Sequence, residues 1–386
     1  MSQRPSKLPD VGTTIFTVMS RRAAELDAVN LGQGFPDYPV DPRLTAQVTA
    51  AMQAGHNQYA PMTGVPALRE QIAQQVMSRH GVKIDTETEV TVTVGATEAL
   101  FSAIAALAGP GDEVLVFDPA YDSYDPAVRL AGACCVHVPL LPPAFGYDWD
   151  RVRAAVTART RLIIVNSPHN PACTVMGEAD MAELAALAER NDLTVISDEV
   201  YEHLVYDGAR HSSVLAHPLL RQRSLAVYSF GKSLHATGLR VGYCIAPAAL
   251  GAELRKVHQF NTFSIATAFQ HAIAAYLASQ PQVFAALAHF FSRKRALLAE
   301  GLAGSAFRVV PAQGTYFTLV DYAGCELLQG LDDTAAASRL LEQGGVASIP
   351  LAPFYREPVK HSLLRLCFAK QDATLAAAIE RLRRLR

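Results

Sequence analysis

Between about residue 41 and residue 250, the sequence alternates between two apolar patterns. Short runs rich in β-branched residues, typical of buried strands, are separated by stretches with the apolar spacing of a helix. Such alternation indicates a mostly parallel sheet covered by helices on both faces. The predicted fold class is therefore α/β. The predicted strands are 90–94, 113–117, 161–165, 193–197, 225–228 and 241–246, and the clearest helices are 97–107 and 179–190.

The pattern changes after residue 250. A long helical stretch is predicted for residues 250–303, and beyond it short strands mix with two helices. This α+β pattern predicts a second, smaller domain, and 386 residues are enough for two. We expect an N-terminal arm and part of the small domain in residues 1–40, a large domain in residues 41–280 and the rest of the small domain in residues 281–386.

Composition argues against several kinds of partner. A net charge of −2, with both signs interspersed, leaves no basic surface for nucleic acid or an anionic membrane. No segment reaches the roughly 18 uninterrupted apolar residues of a membrane span. The six cysteines have neither the spacing of a zinc site nor that of a disulfide framework. We therefore predict reduced cysteines, no metal and a soluble cytoplasmic protein.

One lysine needs an explanation, because the chain has only seven of them. Lys232 follows the predicted strand 225–228, with Ser229 before it and Arg240 after it. A desolvated lysine loses part of its preference for the charged form and becomes a nucleophile or Schiff-base former. A hydroxyl and an arginine beside it are suitable phosphate ligands. Together they indicate pyridoxal phosphate, whose aldehyde needs an amine and whose phosphate needs an anchor.

Two other interpretations of this stretch stay open on its residues alone. The segment 231–233 resembles the end of a nucleotide-binding phosphate loop, but that motif needs a glycine where this chain has Ala226. Lys232 is also compatible with an ordinary buried lysine whose amine reaches solvent at a strand end.

Other predicted strands end in residues that suit the same cofactor. Ala96 and Thr97 begin a helix, whose free amides favour an anion. Tyr121 offers an aromatic face and Asn170 an amide, and the carboxylate of Asp198 would pair with a pyridinium nitrogen. Each has an ordinary alternative as a cap, core, turn or satisfied buried residue. Ligands of open α/β sheets bind beyond the carboxyl ends of the strands, so the conjunction favours one shared site.

Several longer motifs stand in a familiar order, namely 95–99, 166–171, 197–201, 229–242 and 363–368. With them, nearly the whole chain resembles the class I pyridoxal-phosphate-dependent aminotransferases, which have the aspartate aminotransferase fold (fold type I). Within that class it is most similar to the bacterial methionine aminotransferases and the kynurenine–glutamine transaminases, through segments 12–16, 30–37, 57–64 and 257–260. The resemblance implies a mostly parallel central sheet in a large domain and a smaller α+β domain.

The resemblance also implies roles for individual residues around the cofactor ring. Lys232 would bind the cofactor aldehyde and, once released by substrate, move a proton between the substrate Cα and the cofactor C4′. Asp198 would pair with the pyridine nitrogen. Tyr201 and Asn170 would donate hydrogen bonds to the phenolic oxygen, and Tyr121 would stack on the ring.

Further residues would hold the phosphate and the substrate. The resemblance assigns the phosphate to the backbone amides of Ala96 and Thr97, to Ser229 and Arg240, and to Tyr59 from the other subunit of a homodimer. The substrate α-carboxylate would be bound by Arg365, with help from Asn170 and the backbone of Gly34.

The expected reaction is transamination between an L-amino acid and a 2-oxo acid by a ping-pong mechanism. Segment 261–265 lacks the arginine with which dicarboxylate-specific relatives bind a second carboxylate, so the resemblance implies a neutral side chain. Methionine is expected first, then aromatic amino acids or glutamine, against apolar walls from residues such as Phe263 and Phe354. The alternative is a pyridoxal-phosphate-dependent β-lyase acting on cysteine conjugates. Ala172 and His235 depart from the family pattern, and His235 is expected to alter packing near Lys232.

Overall fold

The structure is a computed structural model that describes residues 5–386, and this part of the chain forms three β-sheets. The strands are β1 (Val29–Asn30), β2 (Val90–Thr93), β3 (Glu113–Asp118), β4 (Cys134–Pro139), β5 (Thr160–Asn166), β6 (Thr194–Asp198), β7 (Ser224–Ser229), β8 (Gly242–Ile245), β9 (Arg308–Val310), β10 (Phe317–Asp321), β11 (Val346–Ala347), β12 (Ile349–Pro350) and β13 (Leu363–Cys367).

α-Helices lie in most of the connections between consecutive strands. They are α1 (Ile15–Glu25), α2 (Pro42–Gln53), α3 (Pro66–His80), α4 (Gly95–Leu107), α5 (Tyr124–Leu130), α6 (Trp149–Ala155), α7 (Glu178–Arg190), α8 (Pro218–Arg221), α9 (Phe230–Ser233), α10 (Ala248–Asn261), α11 (Thr267–Ser279), α12 (Leu287–Gly301), α13 (Asp333–Gly344) and α14 (Asp372–Arg383). None of the helices within residues 5–386 has both the length and the apolar character needed to cross a membrane.

The largest sheet has seven strands in the order β2-β8-β7-β6-β5-β3-β4. Neighbours from β7 to β4 run parallel, and β8 is antiparallel to both of its neighbours. Successive residues of β5 alternate between two buried apolar clusters: Ile163 belongs to one cluster, and Leu162 and Ile164 belong to the other. The sheet is therefore covered on both faces, and the predicted α/β class with a mostly parallel sheet is confirmed.

The reversed strand β8 brings its first residue to the edge where its neighbours end. Gly242 is paired with Thr93 of β2 and with Ser229 of β7. Arg240, two residues before the strand, consequently lies at the same edge. A Cβ on Gly242 would lie 2.6 Å from the carbonyl carbon of Gly95 and 2.7 Å from the nitrogen of Ala96. Only glycine therefore allows β8 to pack this closely on the start of α4.

The remaining sheets join the two ends of the chain. Four antiparallel strands from residues 308–367 form the order β12-β13-β10-β9, and β1 pairs in parallel with β11. This arrangement agrees with the expected α+β character of the C-terminal part. The boundaries at residues 40/41 and 280/281 stay a prediction.

The expectation of one long helical stretch over residues 250–303 is wrong, because this region forms α10, α11 and α12. The first interruption contains Phe263, whose φ of 68° lies in the left-handed region. The second contains Pro281, which has no N–H to continue the hydrogen-bond ladder of α11. Apolar spacing alone does not reveal either break.

Some elements were not predicted from the sequence at all. Strand β4 lies at the edge of the large sheet and is mostly half-exposed, so it lacks the continuous apolar run of a central strand. Helix α1 lies in the segment that was expected to be an N-terminal arm, and α5 and α6 are only two turns long.

Candidate active site

A cavity of about 260 Å³ lies at the carboxyl edge of the seven-stranded sheet. Every predicted site residue except Tyr59 lines it. These residues are Gly34, Ala96, Thr97, Tyr121, Asn170, Asp198, Tyr201, Ser229, Lys232, Arg240 and Arg365. The structure thus brings together residues from five strand ends and from both terminal regions of the chain.

Lys232 lies on α9, the short helix that begins directly after β7. Its Nζ atom is 5.9 Å from the ring centroid of Tyr201 and 5.9 Å from that of Tyr316. Burial first, and then the positive charge of Arg240, lower the pKa of the Lys232 amine to about 8. A much larger fraction of this amine is therefore neutral near pH 7 than for an ordinary lysine.

Asp198 is the last residue of β6 and is buried. The hydroxyl of Tyr124 donates a hydrogen bond of 2.7 Å to its Oδ2 atom, and the amide of Val200 donates one of 3.4 Å to its Oδ1 atom. Burial raises the pKa of the Asp198 carboxyl to about 6, while the bond from Tyr124 acts in the opposite direction. Its carboxylate form is therefore available at neutral pH to a cationic partner.

A turn after β5 connects Asp198 to Arg365. The side chain of Asn166 donates to the Asp198 carbonyl at 2.8 Å and accepts from the Asn170 amide at 2.7 Å. Asn170 Oδ1 in turn accepts a hydrogen bond of 2.6 Å from Arg365 Nη1. Asn166 was not singled out in the sequence, although it lies in the same motif as Asn170.

Arg365 is fully buried on β13, and Nη2 donates to the Gly32 carbonyl at 2.9 Å. Its guanidinium carbon lies 3.9 Å from the ring centroid of Phe317 and 5.0 Å from that of Phe16. Nε has no hydrogen-bond partner in residues 5–386. Arg365 as a whole lines the cavity, and a buried guanidinium in such a position is suited to bind a carboxylate.

The aromatic hydroxyls of the cavity keep their protons. Burial raises the pKa of Tyr121 to about 12 and also raises the pKa of Tyr201. Tyr201 packs edge-on against Tyr316, and Tyr121 packs edge-on against Tyr124. Both hydroxyls are thus hydrogen-bond donors at neutral pH, on rings whose positions are fixed by other rings.

The phosphate-binding residues predicted from the sequence surround the start of α4. This helix begins at Gly95, two residues before its predicted start at residue 97, and its N-cap residue Val94 makes no side-chain capping hydrogen bond. The first amides of a helix lack partners within it, so those of Ala96 and Thr97 favour an anion. Gly95 has a φ of 68°, and a Cβ there would lie 2.8 Å from Nη2 of Arg240.

Phe16, Phe35 and Phe317 supply aromatic walls that were not identified from the sequence. Phe263 and Phe354, which were predicted to form such walls, do not line the cavity of a single chain. Phe354 is buried against Phe16, and Phe263 lies edge-on to Tyr59. Individual apolar residues carry no signal of which wall they join, because the contacts depend on the tertiary fold.

Tyr59 lies outside the cavity of its own chain. Its side chain is 84% exposed and packs edge-on against Phe263. Tyr59 therefore does not line the cavity that contains Ser229 and Arg240 of the same chain. Its predicted role requires a second chain.

The two departures from the family pattern lie away from the cavity lining. His235 packs against Tyr38, Phe290 and Phe291 and does not line the cavity, and its expected effect on packing near Lys232 stays a prediction. Ala172 is buried, and its amide donates to His169 Nδ1 at 3.2 Å.

The arrangement fits pyridoxal phosphate in three respects. An amine with a lowered pKa, a buried carboxylate and a helix start beside an arginine match the aldehyde, the ring nitrogen and the phosphate. The arrangement on a mostly parallel sheet defines a pyridoxal-phosphate-dependent enzyme of fold type I.

Comparisons with known proteins make the identification more specific. Residues 27–382 match the family model described as aminotransferase class I and II. The methionine aminotransferase of Escherichia coli is 50% identical over 98% of both chains, and the probable N-succinyldiaminopimelate aminotransferase of Mycobacterium tuberculosis is 41% identical over 98% of this chain and 97% of the other. The solved aspartate aminotransferase of Thermus thermophilus, a double mutant, superimposes with a TM-score of 0.89 at 32% identity over the full length of both chains.

The chain belongs to the class I and II aminotransferase family. The protein is therefore an enzyme that depends on pyridoxal phosphate and transfers an amino group between an amino acid and a 2-oxo acid. The relatives named above are all aminotransferases, so the β-lyase alternative is not favoured.

Tyr124, which the sequence did not reveal, generates a test of the Asp198 environment. Tyr124→Phe removes the hydrogen bond that lowers the pKa of Asp198, so this pKa should rise above about 6. The carboxylate form of Asp198 is the one that would pair with a pyridinium. As the pH falls, the variant should therefore lose cofactor affinity at a higher pH than the wild type does. Near pH 7 the dissociation constant should rise about tenfold, the effect of losing a hydrogen bond to a charged group.

The measurement is the dissociation constant of the cofactor from the apoenzyme at a series of pH values. Protonation of the cofactor's own phosphate affects the variant and the wild type equally, so it cancels in the comparison. Tyr322→Phe is the matched control, since it loses a hydrogen bond to the Leu331 carbonyl away from the cavity. Equal pH profiles for Tyr124→Phe and wild type would contradict the role assigned to the hydrogen bond between Tyr124 and Asp198.

Proposed function

We propose that this aminotransferase uses methionine, or another amino acid with a large neutral side chain, as its preferred amino donor. The observation that carries this proposal is the pair of phenylalanine rings, Phe16 and Phe317, against the guanidinium of Arg365. A substrate whose α-carboxylate binds Arg365 would place its side chain among aromatic walls. A thioether is favoured there, because sulfur makes favourable contacts with aromatic rings.

The charged residues that line the cavity also support a substrate with a neutral side chain. Among the described residues that line it, the cationic ones are Lys232, Arg240 and Arg365. We assign Arg240 to the phosphate, Arg365 to the α-carboxylate and Lys232 to the reacting centre. No further cation of the same chain is then left for a distal carboxylate, which is costly to bury unpaired. The identity to the E. coli methionine aminotransferase supports the same preference.

The residues around the reacting atoms would divide the work as follows. Pyridoxal phosphate, when bound, supplies an electron-accepting ring that makes the substrate Cα–H acidic. Lys232 Nζ takes the proton from Cα and delivers it on the cofactor side, and its lowered pKa of about 8 suits a base that must also release the proton.

Other side chains would hold the reactants in place. The Asp198 carboxylate keeps the ring nitrogen protonated, and the hydrogen bond from Tyr124 favours that carboxylate. Tyr201 and Asn170 donate to the phenolic oxygen. Arg365 orients the α-carboxylate, with its Nη1 atom held by Asn170 Oδ1. A 2-oxo acid carries the same carboxylate, so both half-reactions use one anchor.

The enzyme is proposed to act as a cytoplasmic homodimer. Tyr59 and Phe263 are large apolar side chains that lie exposed in contact with each other, as is typical of a protein interface. A second chain covering this surface would receive Tyr59 at its phosphate site. Free cysteines at all six positions support a reducing compartment.

The role of Lys232 is tested by Lys232→Ala. The variant should lose the absorbance of the enzyme-linked cofactor and steady-state turnover, because no other amine lines the cavity within residues 5–386. Absorbance spectra and a coupled transamination assay measure both, and Lys83→Ala, at an exposed lysine, is the control. Retained steady-state transamination would contradict the catalytic role assigned to Lys232.

The substrate proposal is tested with a panel of amino donors against one fixed 2-oxo acid. Methionine should give a kcat/KM at least about 100-fold above that of aspartate, since a misplaced carboxylate leaves an unpaired buried charge. Norleucine, with a methylene in place of sulfur, is the matched control for the thioether. A preference for aspartate or N-succinyldiaminopimelate would refute the proposal while leaving the aminotransferase assignment intact.

The shared site is tested by sedimentation equilibrium and by Tyr59→Phe. The wild type should sediment as a dimer. Loss of the hydroxyl should raise the cofactor dissociation constant about tenfold, the effect of one hydrogen bond to a phosphate, without changing the mass. A monomeric, fully active wild type, or an unchanged dissociation constant in the variant, would exclude the role of Tyr59.

A further inference from the structure

A cluster of metal-ligand side chains lies outside the cavity described above. Asp125, Cys135 and His137 each offer one ligand atom, and these atoms all lie within 4.8 Å of one another. The mechanism of transamination uses none of them. All three side chains are half-buried, so they are neither core residues nor freely mobile surface groups.

The fold explains why these side chains meet. Cys135 and His137 are two residues apart on β4, so they point to the same face of the sheet. Helix α5 packs against that strand and presents Asp125 from its first turn. Cys134 points to the other face and is exposed. Of the two adjacent thiols, only that of Cys135 therefore points toward the cluster.

The hydrogen bonds of His137 leave one ring nitrogen directed at the cluster. Nδ1 lies 2.8 Å from Asp118 Oδ1, and because a carboxylate accepts, Nδ1 carries the proton. In the neutral ring Nε2 then has a free lone pair, and it lies 3.6 Å from Asp125 Oδ1. Two nitrogen or oxygen ligands of a tetrahedral zinc ion, each at about 2.0–2.1 Å, are about 3.3 Å apart, so this nitrogen and this oxygen need little movement.

The pair formed by Asp118 and His137 has the form of a carboxylate that orients a histidine ligand. Such partners fix the tautomer and ring orientation of metal-bound histidines. Asp118 is buried, and its Oδ2 atom accepts a further hydrogen bond of 2.7 Å from the Arg356 amide. The orienting carboxylate is therefore itself held in place.

A path from solvent and room for a further ligand are also present. A cavity of about 350 Å³ is lined by Asp125 and His137, together with residues of the N-terminal segment and of the loop that contains Arg356. A water molecule in this cavity would complete a four-coordinate site. The other oxygen of Asp125 accepts a hydrogen bond of 3.2 Å from Arg129, so only one oxygen is needed for the metal.

From these contacts we propose a Zn²⁺ site formed by the Cys135 thiolate, His137 Nε2 and one carboxylate oxygen of Asp125, with Asp118 as the positioning residue. Sulfur, imidazole and carboxylate donors in a tetrahedral arrangement are suited to zinc. The sequence shows no zinc motif here because Asp125 comes from a different element from the other two ligands. Without metal, His137 is held between the carboxylates of Asp118 and Asp125.

The test is zinc binding by the untagged holoenzyme, measured by equilibrium dialysis and metal analysis. The wild type should bind one Zn²⁺ per chain at this site, and its thermal midpoint should rise with added zinc. Cys135→Ser and His137→Gln should each weaken binding at least about 100-fold, and Asp118→Asn by about 10–100-fold. Cys134→Ser is the matched control and should bind like the wild type.

Cobalt provides a second readout that does not depend on activity. Co²⁺ at the site should give the visible ligand-field bands of a tetrahedral ion, and these should be absent in Cys135→Ser and present in Cys134→Ser. The retained absorbance of bound cofactor in each variant verifies that it is folded. Absence of zinc binding in the wild type, binding that is unaffected by Cys135→Ser and His137→Gln, or an equal loss in Cys134→Ser would each overturn the proposal.

Discussion

The cavity of this aminotransferase depends on charged groups that are held away from water by specific partners. An unpaired charge in such surroundings costs several kcal/mol, so each one must be compensated. Arg365 is compensated by the Asn170 side chain and the Gly32 carbonyl, and Asp198 by the Tyr124 hydroxyl. In the described part of the chain Lys232 has no such set of acceptors, and burial together with the charge of Arg240 lowers its pKa to about 8. Arg365 and Asp198, which stay charged, are thus suited to bind charged groups of the substrate and the cofactor. Lys232, which loses its charge more readily, is suited to react.

These partners come from the order and direction of the strands. Parallel strands β5, β6 and β7 end at one edge, which brings Asn166, Asp198 and Ser229 together. The reversed strand β8 starts at that edge, so Arg240, two residues before the strand, lies there as well. Gly242 lets this strand approach the first turn of α4. A mixed sheet thus supplies both an anion-binding helix start and a cation at one place.

The sequence predicted those parts of the site that have local signals. Lys232 and Asp198 lie close to the ends of largely apolar predicted strands, where a charged residue is conspicuous. Tyr124 has no such signal, because its hydrogen bond to Asp198 spans 74 positions and tyrosine in a helix is ordinary. The walls Phe16 and Phe317 come from opposite ends of the chain, and the breaks within 250–303 depend on single residues. Contacts that only the tertiary fold creates could not be predicted from local pattern.

The hydrogen bond between Arg365 and the Gly32 carbonyl joins residues 333 positions apart. By contrast, the residues assigned to the cofactor within one chain all lie between Ala96 and Arg240. During translation, the segment that contains the cofactor anchors is therefore synthesised first. At about 5–20 residues per second, the ribosome needs about 6–25 s more to add the residues from 240 to 365. A nascent chain in this interval contains the residues assigned to the cofactor within one chain, but not the arginine assigned to the substrate α-carboxylate.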